Sequence, residues 1–164
     1  MKDTFDIDRI YDVYARRLYN ISLRIVGNSE DAEEAMHDAL LKYIGFRRKG
    51  DIQDLGAWLS SVCIRKSIDK LRQKHRYKDF LGRYAEMDVS EDNESIQEID
   101  IEKIRSTLAS MPDHYRLVLT LHLFEGYDYQ EISQITGTKE STVRTLYMRG
   151  KQKLAKLLNS QQNG

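Results

Sequence analysis

The chain is poor in the residues that interrupt helices, because its 164 residues include one proline and nine glycines. Proline and glycine are the least favourable residues in the interior of a helix, so their scarcity leaves room for long helices. No segment alternates apolar and polar residues over the usual length of a β-strand. Together these absences predict an all-α fold.

The chain has a single cysteine, Cys63, and therefore cannot form a disulfide bond within itself. A lone cysteine is typical of a protein in a reducing compartment. The N-terminal residues MKDTFDIDRI carry charges where a signal peptide has an apolar core, and no apolar run approaches the length that spans a membrane. We therefore expect a cytoplasmic protein that is not inserted directly into a membrane.

The chain also lacks net charge, since 26 basic residues balance 26 acidic ones, but the charges are unevenly distributed. Residues 65–78 contain seven Lys or Arg against one acid, and residues 139–156 contain six against one. Residues 85–102 contain eight acids and no Lys or Arg. This layout is compatible with polyanion binding at two places, with an acidic segment between them.

Apolar residues recur every three or four positions before the acidic run, which predicts amphipathic helices. The pattern covers residues 7–25, resumes after a candidate N-cap at Asn28 or Ser29, and ends near Phe46. A longer basic helix follows a polar loop. Its Trp58 fits the packing face better than the role of a base-stacking wedge, because large aromatic side chains on amphipathic helices are usually buried.

Helical spacing returns at Ile101, after the acidic run. Pro112 suits the first position of a further helix, and Gly126 suits the position just past its end. We therefore expect two small helical domains joined by a flexible acidic linker at residues 79–100.

The stretch YQEISQITGTKESTVRTLYMRG, residues 129–150, predicts two helices that meet at a glycine. Asp128 and Glu131 have the spacing of a capping box, and Gly137 suits the left-handed position after a helix. Ile132 and Val143 can pack inward. The other face keeps polar and basic residues, namely Lys139, Glu140, Ser141, Arg144, Thr145 and Arg149.

Such a pair matches a helix-turn-helix, in which the second helix lies in the major groove of DNA. Arginine near the start of that helix can donate two hydrogen bonds to guanine. An ordinary helical hairpin with a solvated basic face is the alternative interpretation of the same residues.

Motifs for catalysis and for cofactors fail on inspection. GFRRKGD, residues 45–51, has the glycine spacing of a phosphate-binding loop, but Asp51 occupies the essential lysine position. DVSEDN lacks the glycine and the glutamate that a calcium loop needs. The four histidines and the cysteine have no metal-ligand spacing. We expect neither catalytic residues nor a metal or other cofactor, and hence a protein that is not an enzyme.

Longer stretches resemble one protein family. LASMPDHYRLVLTLHLFEGYDYQEISQITGTKESTVRTLYMRGKQKLAKLL, residues 108–158, is similar to the C-terminal domain of the extracytoplasmic-function sigma factors of bacterial RNA polymerase. DAEEAMHDALLKYI, residues 31–44, and AWLSSVCIRKSIDKLRQKHR, residues 57–76, resemble the second helix and the promoter-melting helix of the family's other domain.

The resemblance implies a sigma factor that directs core polymerase to specific promoters and helps to open the minus-ten region without hydrolysing nucleotide. Residues 1–78 would form region 2, which binds the polymerase and the minus-ten element. Residues 101–158 would form region 4, which binds the minus-thirty-five element, and residues 159–164 would be a tail. The linker between them would pass through the polymerase interior or serve as a solvated tether.

The resemblance also implies roles for individual residues and for partners. The family's clamp-docking helix puts Asp31, Glu34, His37 and Asp38 against core polymerase. Its promoter-melting helix makes phosphate contacts of Arg65, Lys66, Lys70, Arg72, Lys74 and Arg76. Its minus-thirty-five contacts fall on Lys139, Glu140, Ser141, Arg144, Thr145 and Arg149, and Leu146 stands where the family often has a further basic residue. The partners would be the polymerase clamp and flap, promoter DNA and an anti-sigma factor.

Two other functions are compatible with parts of this pattern. A stand-alone helix-turn-helix regulator would bind operators without polymerase, but it would leave residues 28–78 unexplained. A helical interaction module could present its basic faces to an acidic protein, but it would leave the placement of TVRT, residues 142–145, unexplained.

Overall fold

The computed structural model describes residues 2–76, 80–84 and 100–162, and in those ranges the chain forms helices and no strand, which confirms the all-α prediction. Atomic contacts divide the chain into two compact units, Met1–Leu71 and Arg72–Gly164. The expected linker lies mostly outside the described residues. The helices are α1 (Lys2–Val26), α2 (Ser29–Ile44), α3 (Leu55–His75), α4 (Ile101–Ala109), α5 (Asp113–Leu119), α6 (Tyr129–Thr136) and α7 (Glu140–Gln162).

The turn between α1 and α2 follows directly from local sequence. Gly27 has a φ of 80°, in the left-handed region that glycine adopts without steric cost. Asn28 is the N-cap of α2, and its Oδ1 accepts a hydrogen bond of 2.9 Å from the backbone N–H of Asp31. The structure thus selects Asn28 over Ser29 as the N-cap.

The first unit is held together by apolar faces of α1, α2 and α3. Leu18, Ala39 and Leu59 are completely buried, and each buried leucine stabilises the fold by about 1.5–3 kcal/mol. Trp58 is half-buried and packs on the same core, with its ring centroid 5.0 Å from that of Phe46. Its position on the packing face agrees with the expectation from the sequence.

The start and the end of α5 differ from the sequence-based expectation. The α-helix begins at Asp113, so Pro112 is its N-cap and not its first helical residue. After Leu119 the chain does not continue as an α-helix but widens into one π-helical turn, Thr120–Phe124. Its backbone bond from Glu125 N–H to the Thr120 carbonyl is 3.1 Å long. Single π-turns of this kind accommodate an extra residue inside a helix.

The helix-turn-helix has the local structure that its sequence predicts. Asp128 and Glu131 form the expected capping box at the start of α6. Gly137 ends that helix with a φ of 70°, and its N–H donates to the Ser133 carbonyl at 2.9 Å. Ile132 and Val143 are completely buried, so the two helices pack through their apolar sides.

A glycine lets α7 approach α5 closely. A Cβ atom on Gly150 would lie 3.2 Å from Cδ1 of Tyr115 and 3.3 Å from Cδ1 of Leu119. Those distances are shorter than ordinary van der Waals contact, so a larger residue would require the side chains of Tyr115 and Leu119 to shift by a few tenths of an ångström. The absence of a side chain at Gly150 thus allows α7 to pack closely against α5.

Candidate nucleic-acid interface

The N-terminal part of α7 presents a polar face. Glu140, Ser141 and Arg144 are exposed, and Thr145 is half-buried with its Oγ1 donating to the Ser141 carbonyl at 2.9 Å. Lys139, which immediately precedes the helix, is exposed as well. The structure therefore brings these predicted DNA-contacting residues together within the first two turns of α7 and the residue that precedes it.

Arg144 is the residue on this face that is best placed to reach outward. Its side chain is 58% exposed, and its Nη2 lies 3.4 Å from Oε1 of Glu140, a long contact for an ion pair. Its Cζ lies 5.3 Å from the centre of the Tyr129 ring. A guanidinium held by such weak contacts keeps its donors available for a base edge or a phosphate.

Arg149 differs from Arg144 although both lie on α7. It is half-buried, and its Nη1 donates a hydrogen bond of 2.9 Å to the backbone carbonyl of Tyr84. The Tyr84 ring stacks on His114, with ring centroids 3.6 Å apart. Arg149 thus holds a chain segment of its own unit, and its predicted contact with DNA would require it to exchange that partner. Leu146 is completely buried and contributes to packing.

The basic residues of α3 in the first unit have different surroundings from one another. Arg65 is exposed and Lys66 is half-buried. The Lys70 side chain is only 14% exposed, and its Nζ lies 2.9 Å from Oε1 of Glu34. A residue predicted to contact DNA is therefore paired with a residue predicted to contact polymerase.

The last basic residues of α3 belong to the second unit and contact its side chains and backbone. Arg72 donates from Nη2 to the Thr136 carbonyl at 2.7 Å, and Lys74 Nζ lies 2.8 Å from Oδ2 of Asp113. Arg76, exposed just after the helix, has a φ of 53°. These residues carry the positive charge that the sequence indicates, but protein groups already bind two of them.

Asp113 is the acceptor at the centre of this arrangement. His75 Nε2 lies 2.9 Å from its Oδ2, and Arg116 pairs with its Oδ1. Burial by itself would raise the pKa of Asp113, but hydrogen bonds from Lys74 and His75 and the charge of Arg116 lower the pKa below the ordinary value of 3.8. The carboxylate is therefore ionised at neutral pH and compensates the buried arginine.

The predicted polymerase-binding residues lie along α2. Glu34 and His37 are exposed, whereas Asp31 and Asp38 are half-buried. Asp31 also accepts a hydrogen bond from the Asn28 side chain at 3.0 Å, so it helps to start the helix as well. Three of these residues, Asp31, Glu34 and Asp38, present acidic groups along one helix.

An apolar groove lies beside His37 and was not foreseen from the sequence. It has a volume of about 310 Å³ and is formed between α1 and α2. Leu41 is 62% exposed and Ile44 is 41% exposed at its wall. Periodicity in the sequence identifies an apolar face of a helix but not whether a neighbour covers it. The other lining residues include Ile7, Ile10, Tyr11 and Leu40.

Two further observations concern the described part of the chain. In those ranges no group of three or more His, Cys, Asp or Glu side chains has the geometry to hold a metal ion. None of the helices described is long and apolar enough to cross a membrane.

Comparisons with known protein families cover both units. The family model described as Sigma-70 region 2 matches residues 10–77, and the model described as Sigma-70, region 4 matches residues 101–154. The two matches occur in the chain order that the sequence resemblance implies. The second match contains α6, Gly137 and the exposed start of α7.

Individual relatives match along nearly the whole chain. The ECF RNA polymerase sigma factor SigM of Bacillus subtilis is 24% identical, with 93% of this chain and 95% of that protein aligned. SigW of the same organism is 25% identical over 91% of this chain and 87% of its own length. The sigma factor RpoE of Bartonella quintana, solved in complex with the anti-sigma factor NepR, has a similar fold. It is 17% identical with a TM-score of 0.57, over 94% of this chain and 97% of that chain.

Proposed function

This chain belongs to the extracytoplasmic-function group of the sigma-70 family and is an RNA polymerase sigma factor; from that premise we propose how its residues divide the work of initiation. Region 4 reads the minus-thirty-five element through the exposed start of α7. Region 2 contacts the minus-ten element through α3 and binds core polymerase through α2. We propose that region 2 comprises residues 1–78 and region 4 residues 101–158, as expected from the sequence, with the acidic linker between them.

The observation that carries the assignment for region 4 is the exposure of Arg144 at the front of a helix-turn-helix. Its neighbours Lys139 and Ser141 are exposed on the same face, so they can meet phosphates while Arg144 reaches a base edge. A bidentate contact with guanine is the commonest specific contact that arginine makes in the major groove. Arg144 is therefore the proposed base-reading residue, and the others fix the position of the helix.

In region 2 the exposed and half-buried basic residues of α3 are proposed phosphate contacts. Arg65, Lys66 and Lys70 lie on the part of α3 within the first unit. Each phosphate that a basic side chain neutralises releases counterions, so binding should weaken as salt concentration rises. Opening the duplex on such a surface uses binding energy and no nucleotide hydrolysis, so we propose that the protein is not an enzyme.

The partners follow from the same assignment. Acidic residues of α2, among them the exposed Glu34, are proposed to bind the polymerase clamp. The sigma factor of Bartonella quintana is bound to an anti-sigma factor in its solved structure. We propose that a protein of that kind restrains this chain, and that both act in the cytoplasm, where polymerase and promoter DNA are found.

Run-off transcription with core polymerase from the same organism tests the assignment. The purified chain should direct promoter-specific initiation from a pool of genomic fragments, and transcription without added chain provides the baseline. A double charge reversal at Asp31 and Glu34 should lower the affinity for core polymerase. Charge reversal at Glu102, which is exposed on α4, is the matched control. The assignment of α2 is wrong if both variants bind core polymerase as tightly as the wild type.

A further inference from the structure

Three aromatic rings form a cluster beside α7, the helix proposed to read DNA and called the recognition helix below. The ring of His122 stacks on that of Tyr129 with centroids 5.0 Å apart and an interplanar angle of 19°. Tyr147 of α7 contacts both rings, at 4.4 Å from His122 and 5.6 Å from Tyr129. The cluster therefore joins the π-helical turn, the start of α6 and the middle of α7.

Each ring in the cluster is held by its own backbone environment. His122 lies in the π-helical turn, and its Nδ1 is 2.7 Å from the carbonyl oxygen of Tyr127. Tyr129 is the first residue of α6, immediately after the Asp128 cap. Tyr147 is 8% exposed and lies on the packed side of α7. Together with the ring contacts to His122 and Tyr147, this placement restricts the Tyr129 ring.

The Tyr129 ring meets Arg144. The guanidinium carbon lies 5.3 Å from the ring centre, within the range in which a cation is attracted to an aromatic face. An exposed arginine otherwise samples many rotamers, and ordering it on DNA has an entropic cost. A ring fixed in advance lowers that cost, because the guanidinium is restricted before it meets a base.

We propose that Tyr129 is a positioning residue for base reading: its ring holds the guanidinium of Arg144 in the orientation from which it donates to the major-groove edge of a guanine. The proposal rests on the proposed function of Arg144. Tyr129 acts through that side chain and adds sequence discrimination to the recognition helix. The cluster behind it, with His122 and Tyr147, keeps the ring in place.

The test uses the full-length chain with core polymerase and a set of promoters that differ by one base pair at a time in the upstream element. Tyr129→Leu removes the aromatic face but keeps an apolar side chain, and Tyr129→Phe keeps the face and removes the hydroxyl. Tyr129→Leu should lower the preference for the best base pair by about two- to fivefold, the amount that a cation–π contact at an exposed site supplies. Tyr129→Phe should retain the preference.

Two controls separate positioning from a purely structural role. The slope of affinity against salt should be unchanged in Tyr129→Leu, since no phosphate contact is lost. In the background of Arg144→Ala, adding Tyr129→Leu should reduce the preference no further, because the ring acts through the arginine. Thermal unfolding followed by circular dichroism identifies any loss of folding, and the double-mutant comparison still reports coupling in a partly destabilised pair.

Different failures have different meanings. An unchanged base preference in Tyr129→Leu, together with a clear loss in Arg144→Ala, overturns the role of Tyr129 and leaves the proposed function intact. A preference that survives in Arg144→Ala overturns the assignment of Arg144 as the base reader. A uniform loss on all promoters in Tyr129→Leu, with the preference unchanged, shows that the ring only supports the fold.

Discussion

The basic end of α3 and the basic start of α7 carry similar charge, yet their side chains have different partners. The Arg144 side chain is 58% exposed and makes only long contacts. Lys70 is 14% exposed and paired with Glu34, and Lys74 is paired with Asp113. A charge pattern in the sequence thus identifies both surfaces as basic, but it does not distinguish cations that are available for DNA from cations that already neutralise protein carboxylates.

The largest effect is expected for Asp113→Ala. This variant removes the acceptor that Lys74 and His75 at the basic end of α3 share with Arg116. The Arg116 side chain is only 6% exposed, so the variant leaves a buried charge without its carboxylate. Breaking such a pair costs about 3–5 kcal/mol of unfolding free energy. Chemical denaturation measures the change. Glu102→Gln, which breaks the exposed pair with Arg105, is the control and should change stability by less than about 1 kcal/mol.

The pH dependence of stability tests His114, the buried residue next to Asp113. Burial is the main cause that lowers the pKa of His114 from 6.5 to about 4, so the unfolded chain binds a proton more readily than the folded one. Stability should therefore fall as pH decreases from about 6.5 to about 4, by roughly 2–4 kcal/mol if the whole difference in pKa contributes. Unfolding curves at a series of pH values measure this, and His114→Phe should flatten that part of the profile.

Asp113 acts in a separate pH window. Because its pKa is lowered in the folded state, its contribution is complete above its ordinary value of 3.8 and is lost as pH falls through the lower folded pKa. Asp113→Asn should therefore change the profile below about pH 4, and because the charge of Asp113 raises the pKa of His114, the loss assigned to His114 should extend to lower pH in the same variant. An identical profile for both variants would contradict the division between the two groups.

A smaller effect is expected at the exposed start of α7, where Arg144→Ala tests base reading. Promoter binding should weaken by about 1–3 kcal/mol on the preferred upstream element and change little on elements that lack the preferred base pair. Lys139→Ala is the matched comparison: it should weaken binding to all elements alike and reduce the salt slope by about 1. Equal losses on every element in Arg144→Ala would instead make it a phosphate contact.

The smallest effect concerns the pair of Glu34 and Lys70. Glu34→Gln should change the unfolding free energy by only about 0.2–1 kcal/mol, since Glu34 is 61% exposed. The same variant leaves Lys70 without its carboxylate partner and should strengthen the binding of the isolated chain to DNA at low salt. Fluorescence anisotropy with a promoter duplex measures this. Lys70→Ala should abolish the gain, and a gain that persists without Lys70 would assign it to another residue.

Local rules predicted the parts of the structure that depend on a few neighbouring residues. Gly137 and the capping box of Asp128 and Glu131 are confirmed because each depends only on residues within about one turn of the chain. The π-helical turn was missed, since its hydrogen bonds are not reflected in apolar periodicity. The pairing of Lys70 with Glu34 was also missed, because it joins residues far apart in the chain. The roles of the DNA-contacting and polymerase-binding residues stay predictions.

The wide turn Thr120–Phe124 also affects how the chain tolerates changes in its length. A π-turn contains one residue more than the α-helical turn it replaces, so deleting a residue there would let the α-helix continue. Such a deletion would rotate His122 away from Tyr129. The α-helix would become longer, while the stacking of the two rings would be lost. Deleting a residue between Ile132 and Gly137 would instead move glycine out of its left-handed position. Where homologous chains differ in length by one residue, the difference should therefore lie within Thr120–Phe124 and not between Ile132 and Gly137.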